Sequence, residues 1–539
     1  MRRLSAIFLF TICSATVHAQ QSIQRPKLVV GIVLDQMRWD YLYRYYDRYA
    51  ANGGFKRLMN QGFSCENTMI PYTPTYTACG HSTIYTGSVP ALTGITGNNW
   101  WDREKMRSVY CTEDNSVSTV GSSSSAGKQS PSNMFTTTIC DELRIATNYQ
   151  AKVIGISIKD RGGILPAGHS ANAAYWYDNN VGKWISSTYY MNELPAWVNS
   201  FNDQKLVDNY YKQGWNTLYP VSTYTQSTAD EKTYENSLFG KQFPYDLSAY
   251  IGKDYGKIST TPMGNSLTAA FAKAAVTAEK LGADNITDFL AISFSSPDYI
   301  GHSFGPNSIE AEDGFLRIDK ELGDLLNFLD SKVGKGQYTV FLSADHGVAP
   351  IPEYMTENKM PGGRIFMNEV TKELNKKLKE QFNIGNIVVY DDNYQVALNH
   401  PAIDSAKLDK KLITDIIVAH LSKEPGIGQV FPLDELNTVP LPATVRKMLN
   451  NGYYKKRSGD IQFLLKPNYI DAWSKTGTTH GLWNPYDTHI PLLWYGWGIK
   501  KGKTNRETYM TDIAPTIAAL LHIQMPNGSI GQVITEVMK

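Results

Sequence analysis

Short, continuously apolar runs alternate along the chain with stretches of helical character. Lys27 to Leu34 (KLVVGIVL), Ala151 to Ile158 (AKVIGISI), Asp288 to Phe294 (DFLAISF) and Tyr338 to Ser343 (YTVFLS) have strand length. Continuity, in place of strict polar alternation, is the pattern of strands covered on both faces. The expected fold is therefore α/β, with a largely parallel central sheet flanked by helices. A further strand-like run, Ile490 to Tyr495, comes late in the chain. A helix over Asp512 to Leu521 follows it, with Pro515 in the first turn, where a missing N–H is harmless.

The apolar runs end at residues that bind metals or charges. Lys27 to Leu34 stops at Asp35, and Ala151 to Ile158 stops at Lys159. Asp298 lies four residues beyond Phe294, and Asp345-His346 lies just past Ser343. In open α/β sheets the carboxyl ends of the strands form the ligand-binding edge. One Asp after a strand is more often a helix cap; several together mark a site.

Two stretches break the rhythm and read as insertions. Residues from about 170 to 260 are rich in Tyr, Asn, Ser and Trp and lack long apolar runs, which predicts an irregular cap. Residues from about 350 to 475 hold helical patterns at Glu369 to Gln381 and Asp404 to Leu421. Strand patterns at Ile387 to Tyr390 and Ile461 to Leu465 complete a small α+β lobe. The remainder of 20–539 is expected to be one catalytic domain.

Composition narrows the partners. A net charge of +1 over 539 residues gives no basis for binding nucleic acid or a membrane surface. Arg2 and Arg3 followed by the apolar stretch Leu4 to Val17 read as a signal peptide over residues 1–19, cleaved after Ala19. The mature protein is then expected in a periplasm or outside the cell, without a membrane span and as a monomer. In that oxidising setting Cys65, Cys79, Cys111 and Cys140 allow up to two disulfides, in any of three pairings.

Asp298 and His302 stand four apart, which on a helical turn brings both to one side. Asp345-His346 is followed by Gly347, which permits a sharp turn, and His480-Gly481 comes after the second insertion. With Asp35 the set is three carboxylates and three imidazoles. Such a mixed N/O set suits two zinc-like ions better than one, and suits zinc better than magnesium. Two cations about 4 Å apart stabilise both the entering and the leaving oxygen of an in-line phosphoryl displacement.

Taken in order, these segments resemble the alkaline phosphatase superfamily, most closely the PafA-type bacterial alkaline phosphatases. The nucleotide pyrophosphatase/phosphodiesterase branch is the next nearest. The resemblance covers Val29 to Asp35, Pro71 to Asn98, Ile156 to His169, Ala291 to His302, Leu342 to Gly347 and His480 to Trp494. It implies an alkaline-phosphatase-like core with two Zn²⁺ per chain. One zinc would be held by Asp35, Asp345 and His346, with Thr77 touching it, and the other by Asp298, His302 and His480. Thr77, in Thr75-Tyr76-Thr77-Ala78-Cys79-Gly80-His81, matches the nucleophile, and Asn98 matches the asparagine that donates to a phosphoryl oxygen. His81 and His169 fit no ligand position and read as structural.

Lys159 and Arg161 match the monoesterase pattern. A monoester carries one more charged oxygen than a diester, and a guanidinium grips such a group through paired hydrogen bonds while an ammonium adds a point charge. The implied activity is hydrolysis of small-molecule phosphate monoesters through a phosphothreonine. The alternative is a phosphodiesterase or nucleotide pyrophosphatase using the same metals and nucleophile.

Overall fold

The computed structural model describes residues 23–539, and the expected signal at 1–19 lies outside them. Ten strands form one sheet. From edge to edge they are Gly502–Tyr509, Phe63–Met69, His489–Gly496, Tyr338–Ser343, Leu28–Leu34, Asp288–Phe294, Val153–Ser157, Ala173–Asp178, Lys183–Ser187 and Thr119–Val120. The five from Tyr338–Ser343 to Ala173–Asp178 are mutually parallel. Antiparallel pairings add His489–Gly496 on one side and Lys183–Ser187 on the other.

Every residue of the four strands within the apolar runs, Leu28–Leu34, Val153–Ser157, Asp288–Phe294 and Tyr338–Ser343, is buried, as their unbroken apolar pattern requires. Their register puts the ends level: Leu34 pairs with Phe294, Val33 with Ser343, and Ser157 with Ser293. The residues that follow these ends are consequently neighbours in space. The parallel central sheet and its level strand ends are the α/β architecture the sequence predicts.

Two expectations need correction. The stretch read as an irregular cap opens with two strands of the main sheet, Ala173–Asp178 and Lys183–Ser187. Their aromatic residues are core, with Trp176 and Trp184 fully buried, which is why no aliphatic run announced them. Beyond Ser187 the stretch consists of short helices and loops. The four cysteines among the described residues, Cys65, Cys79, Cys111 and Cys140, are buried free thiols rather than disulfide partners. Cys65 lies in a strand, Cys79 and Cys140 in two helices, and Cys111 in a separate small cluster. Burial keeps them protonated, with Cys65 and Cys111 pushed up to about 12.

The stretch from about 350 to 475 has its own apolar core around Ile387, Val396, Ile413, Ile417, Ile461 and Phe463. A four-stranded antiparallel sheet, Val388–Tyr390, Gln395–Leu398, Ile461–Leu465 and Ile427–Pro432, carries it. Tyr390 OH and Asn393 Nδ2 both donate to Asn99 O, at 3.1 and 2.7 Å, tying this lobe to the loop that bears Asn98.

Candidate active site

The site is built on the carboxyl edge of the parallel strands. Asp35 follows Leu28–Leu34; Asp345 and His346 follow Tyr338–Ser343; Lys159 follows Val153–Ser157. Asp298 and His302 stand on the helix Ser296–Phe304, one turn apart, just beyond Asp288–Phe294. His480 follows the second insertion in the chain and packs its ring on that of His346.

These residues converge as two sets, Asp35/Asp345/His346 and Asp298/His302/His480. Each histidine is fixed by its Nδ1: His302 to Thr478 O at 2.8 Å, His346 to Gly347 O at 2.9 Å, His480 to Thr75 O at 2.7 Å. A carbonyl only accepts, so each Nδ1 carries the proton and each Nε2 presents a lone pair to the site. Ligand atoms about 2.0–2.1 Å from one tetrahedral ion lie about 3.3 Å apart. His346 Nε2 is 3.4 Å from Asp35 Oδ1 and 3.5 Å from Asp345 Oδ2. Asp298 Oδ1 is 3.1 Å from His302 Nε2 and 3.7 Å from His480 Nε2. Asp35 Oδ1 is buried with no hydrogen-bond partner among the described residues, and Asp345 Oδ2 faces only His81 Nδ1 at 3.2 Å, whose proton is already directed to Thr77 O. A buried anionic oxygen without a partner is costly. The spacing, the tautomers and the orphaned oxygens all fit two divalent cations, and the rings of His346 and His480 stack at 3.5 Å where the sets meet.

Electrostatics point the same way. Burial raises the Asp35 carboxyl well above its ordinary range, and the nearby Asp345 charge adds to this. Burial also opposes ionisation of Asp298, yet His302, when its ring is protonated in the absence of metal, and Lys159 outweigh it and hold that carboxyl low. Burial, then His346 and His302, keep His480 neutral well below the usual range, the form that ligates a metal. Three buried carboxylates face one buried ammonium. Lys159 Nζ sits between the sets, 2.6 Å from Asp35 Oδ2 and 2.6 Å from Asp298 Oδ2, leaving the other oxygen of each carboxylate to its own set.

Thr77 opens the helix Thr77–Thr86, and its hydroxyl lies 3.3 Å from His346 Nε2. No side chain caps this helix, so its positive end faces the site. Gly80 lets the helix approach closely: a Cβ there would sit 2.4 Å from Asp345 O. The Ala78 amide donates to Asn98 Oδ1 at 3.0 Å, which fixes the side chain and leaves its NH₂ to donate elsewhere. Arg161 is held by one arm only, Nη1 donating to Tyr110 OH at 2.9 Å, while its Nε is buried and unpartnered among the described residues.

All ten residues singled out from the sequence thus border one site; Gln36, Tyr110 and Tyr299 beside them were missed, while His81 has the structural part expected of it. Gln36, left-handed at φ 67°, donates its backbone N–H to Asp345 Oδ1 and its Nε2 to Asp298 Oδ1, linking the two sets. His81 reaches Thr77 O and Ser293 Oγ at 2.9 and 2.8 Å, with Asp345 Oδ2 3.2 Å from its Nδ1. Tyr110 OH donates to Asp160 Oδ1 at 2.6 Å while accepting from Arg161. The ring of Tyr299 stands 5.1 Å from Lys159 Nζ. No spacing rule reveals Gln36 or Tyr110. His81 sits in a visible motif, but its work is to brace others.

Comparison with known proteins agrees with this geometry. The model of the type I phosphodiesterase/nucleotide pyrophosphatase family matches residues 29–487. Alkaline phosphatase PhoV of Synechococcus elongatus is 54% identical over 96% of this chain and 94% of its own. A protein of Myroides odoratus named as a calcium-transporting ATPase is 52% identical, over 98% of this chain and 97% of its own. Alkaline phosphatase PafA of Elizabethkingia meningoseptica is 50% identical, over 96% of this chain and 95% of its own. A crystal structure of wild-type PafA, 50% identical, matches with a TM-score of 0.94 over 96% of this chain and 100% of that one. The chain belongs to the alkaline phosphatase superfamily, as a PafA-type alkaline phosphatase within the family that the phosphodiesterase model describes.

Proposed function

We propose that this alkaline phosphatase is an exported, zinc-dependent hydrolase of small-molecule phosphate monoesters that works through a phosphothreonine at Thr77. The observation that carries the reading is the Thr77 hydroxyl, 3.3 Å from His346 Nε2 at an uncapped helix start. Asp35, Asp345 and His346 would hold one Zn²⁺, touched by Thr77, and Asp298, His302 and His480 a second. When bound, such ions lower the pKa of a hydroxyl or water and offset charge on entering and leaving oxygens.

The chain's own groups do the rest. A phosphoryl group placed between the two sets meets the Asn98 NH₂, the Lys159 ammonium and the free edge of Arg161. Thr77 Oγ1, its proton lost to solvent, attacks phosphorus in line and the ester P–O bond breaks on the opposite side. The leaving oxygen takes a proton from water. Water then attacks the phosphothreonine, the Thr77 Oγ1–P bond breaks, and inorganic phosphate leaves with the hydroxyl restored. Positioning and fixed charge supply the catalysis.

Arg161 favours monoesters over diesters. Its unpartnered Nε and its second Nη supply donors for the oxygen that a diester lacks as a charged group. ATP, named in one relative, also ends in a dianionic phosphoryl group and fits the same grip. Residues 1–19 would direct export to the periplasm or medium, and the domain 20–539 with its two insertions would act as a monomer. Measuring kcat/KM of the zinc-loaded protein on an aryl phosphate and on its methyl diester tests the assignment. The monoester should be strongly preferred; a preferred diester makes the protein a diesterase.

A further inference from the structure

The metal-ligand sets reach solvent at His302. The side chains of Asp35, Asp345 and His346 are fully buried and those of Asp298 and His480 nearly so, while His302 is 20% exposed. Trp473 stands beside it, its ring 5.4 Å from the His302 ring and tilted by 59°. It is 70% exposed, the highest value among the exposed large apolar side chains of the described residues.

An exposed tryptophan on a loose loop would carry no meaning. This loop is braced. Arg364 donates to Ser474 O at 3.3 Å and to Gly477 O at 2.8 Å, and is itself clamped by both oxygens of Glu353 at 2.8 and 2.6 Å. Gly477 N donates to Tyr234 O at 2.8 Å. Thr478 bonds His302 in both directions, N–H to His302 O at 3.0 Å and carbonyl from His302 Nδ1 at 2.8 Å. The backbone that carries the indole is therefore held in register with the set that, on the reading above, faces the leaving oxygen.

We infer that Trp473 is a stacking platform for flat aromatic leaving groups, and that the enzyme favours phosphate monoesters of nucleosides and aryl alcohols over those of plain alkyl alcohols. The inference rests on the proposed division of labour between the two sets. Every aromatic base has a π-face, so an indole binds bases with little regard to their edges. The binding free energy gained by the leaving group lowers the barrier to its own ester's cleavage.

The test compares adenosine 5′-monophosphate with ribose 5-phosphate, which share the ester bond and the sugar and differ in the base. Trp473→Ala should lower the ratio of their kcat/KM values by about fivefold or more, the low end of stacking on an aromatic side chain. Trp473→Phe should recover part of the ratio. A ratio unmoved in Trp473→Ala, with wild-type protein hydrolysing both esters, overturns the platform and leaves the proposed function standing. A wild-type protein that hydrolyses neither ester overturns both.

Discussion

Replacing Tyr110 by Phe removes one hydroxyl and nothing else, and it isolates the part of the site that reads monoesters. That hydroxyl accepts from Arg161 Nη1 at 2.9 Å and donates to Asp160 Oδ1 at 2.6 Å, so among the described residues it is the one hydrogen-bonding anchor of the guanidinium. Without it Arg161 keeps its charge but loses its orientation. A hydrogen bond to a charged group is worth about 1.5–3 kcal/mol. Losing the low end of that range as preorganisation costs about tenfold in kcat/KM. The loss should fall on monoesters, and a methyl diester, which lacks the third anionic oxygen, should change by less than about threefold on the same scale. Steady-state rates on an aryl phosphate and its methyl diester, for wild type, Tyr110→Phe, Arg161→Ala and the double variant, make a cycle. The double variant should be no slower on the monoester than Arg161→Ala alone. Equal losses on both esters, or additive losses in the double variant, would refute the role given to Tyr110.

Thr77→Ala should abolish phosphorylation of the protein and reduce monoester turnover to a residue, whereas Thr77→Ser should keep both; phosphate release and intact-protein mass spectrometry check this. Stripping metal with a chelator should lower the melting temperature along with activity, because three clustered carboxylates are left facing Lys159 alone, and added zinc should restore both. Glu235 makes a prediction about pH: burial, with Glu310 nearby, pushes its carboxyl up to about 9. Its folded pKa lies above the unfolded value, so the folded state holds the proton more tightly and stability declines as pH rises from about 5 towards 9. Glu235→Gln should flatten that decline in melting temperature; an unchanged slope argues against the buried proton.

Much of the sheet was legible because its central strands are covered on both faces. Leu28–Leu34 and Tyr338–Ser343 announced themselves as apolar runs, and their ends at Asp35 and Asp345 announced the site. Ala173–Asp178 and Lys183–Ser187 did not, because their buried residues are aromatic and sit among serines and asparagines. Of the site, the candidate ligands could be read because their chemistry is specific. Their supports could not. Gln36 acts through a left-handed backbone that no local pattern encodes, and Tyr110 reaches Arg161 across 51 positions of sequence. Lys159 was legible as a charge, but its seat between Asp35 and Asp298 depends on strands distant in the chain. Cysteine counting failed for a related reason: where each thiol is buried, and whether two meet, is set by tertiary structure.

The central claim is attack by Thr77 followed by attack of water, and the stereochemical course at phosphorus tests it most directly. Transfer of an isotopically chiral phosphoryl group from a monoester to an alcohol acceptor should proceed with net retention, since two in-line displacements each invert. Net inversion would mean a single displacement with no phosphothreonine, and would contradict the account.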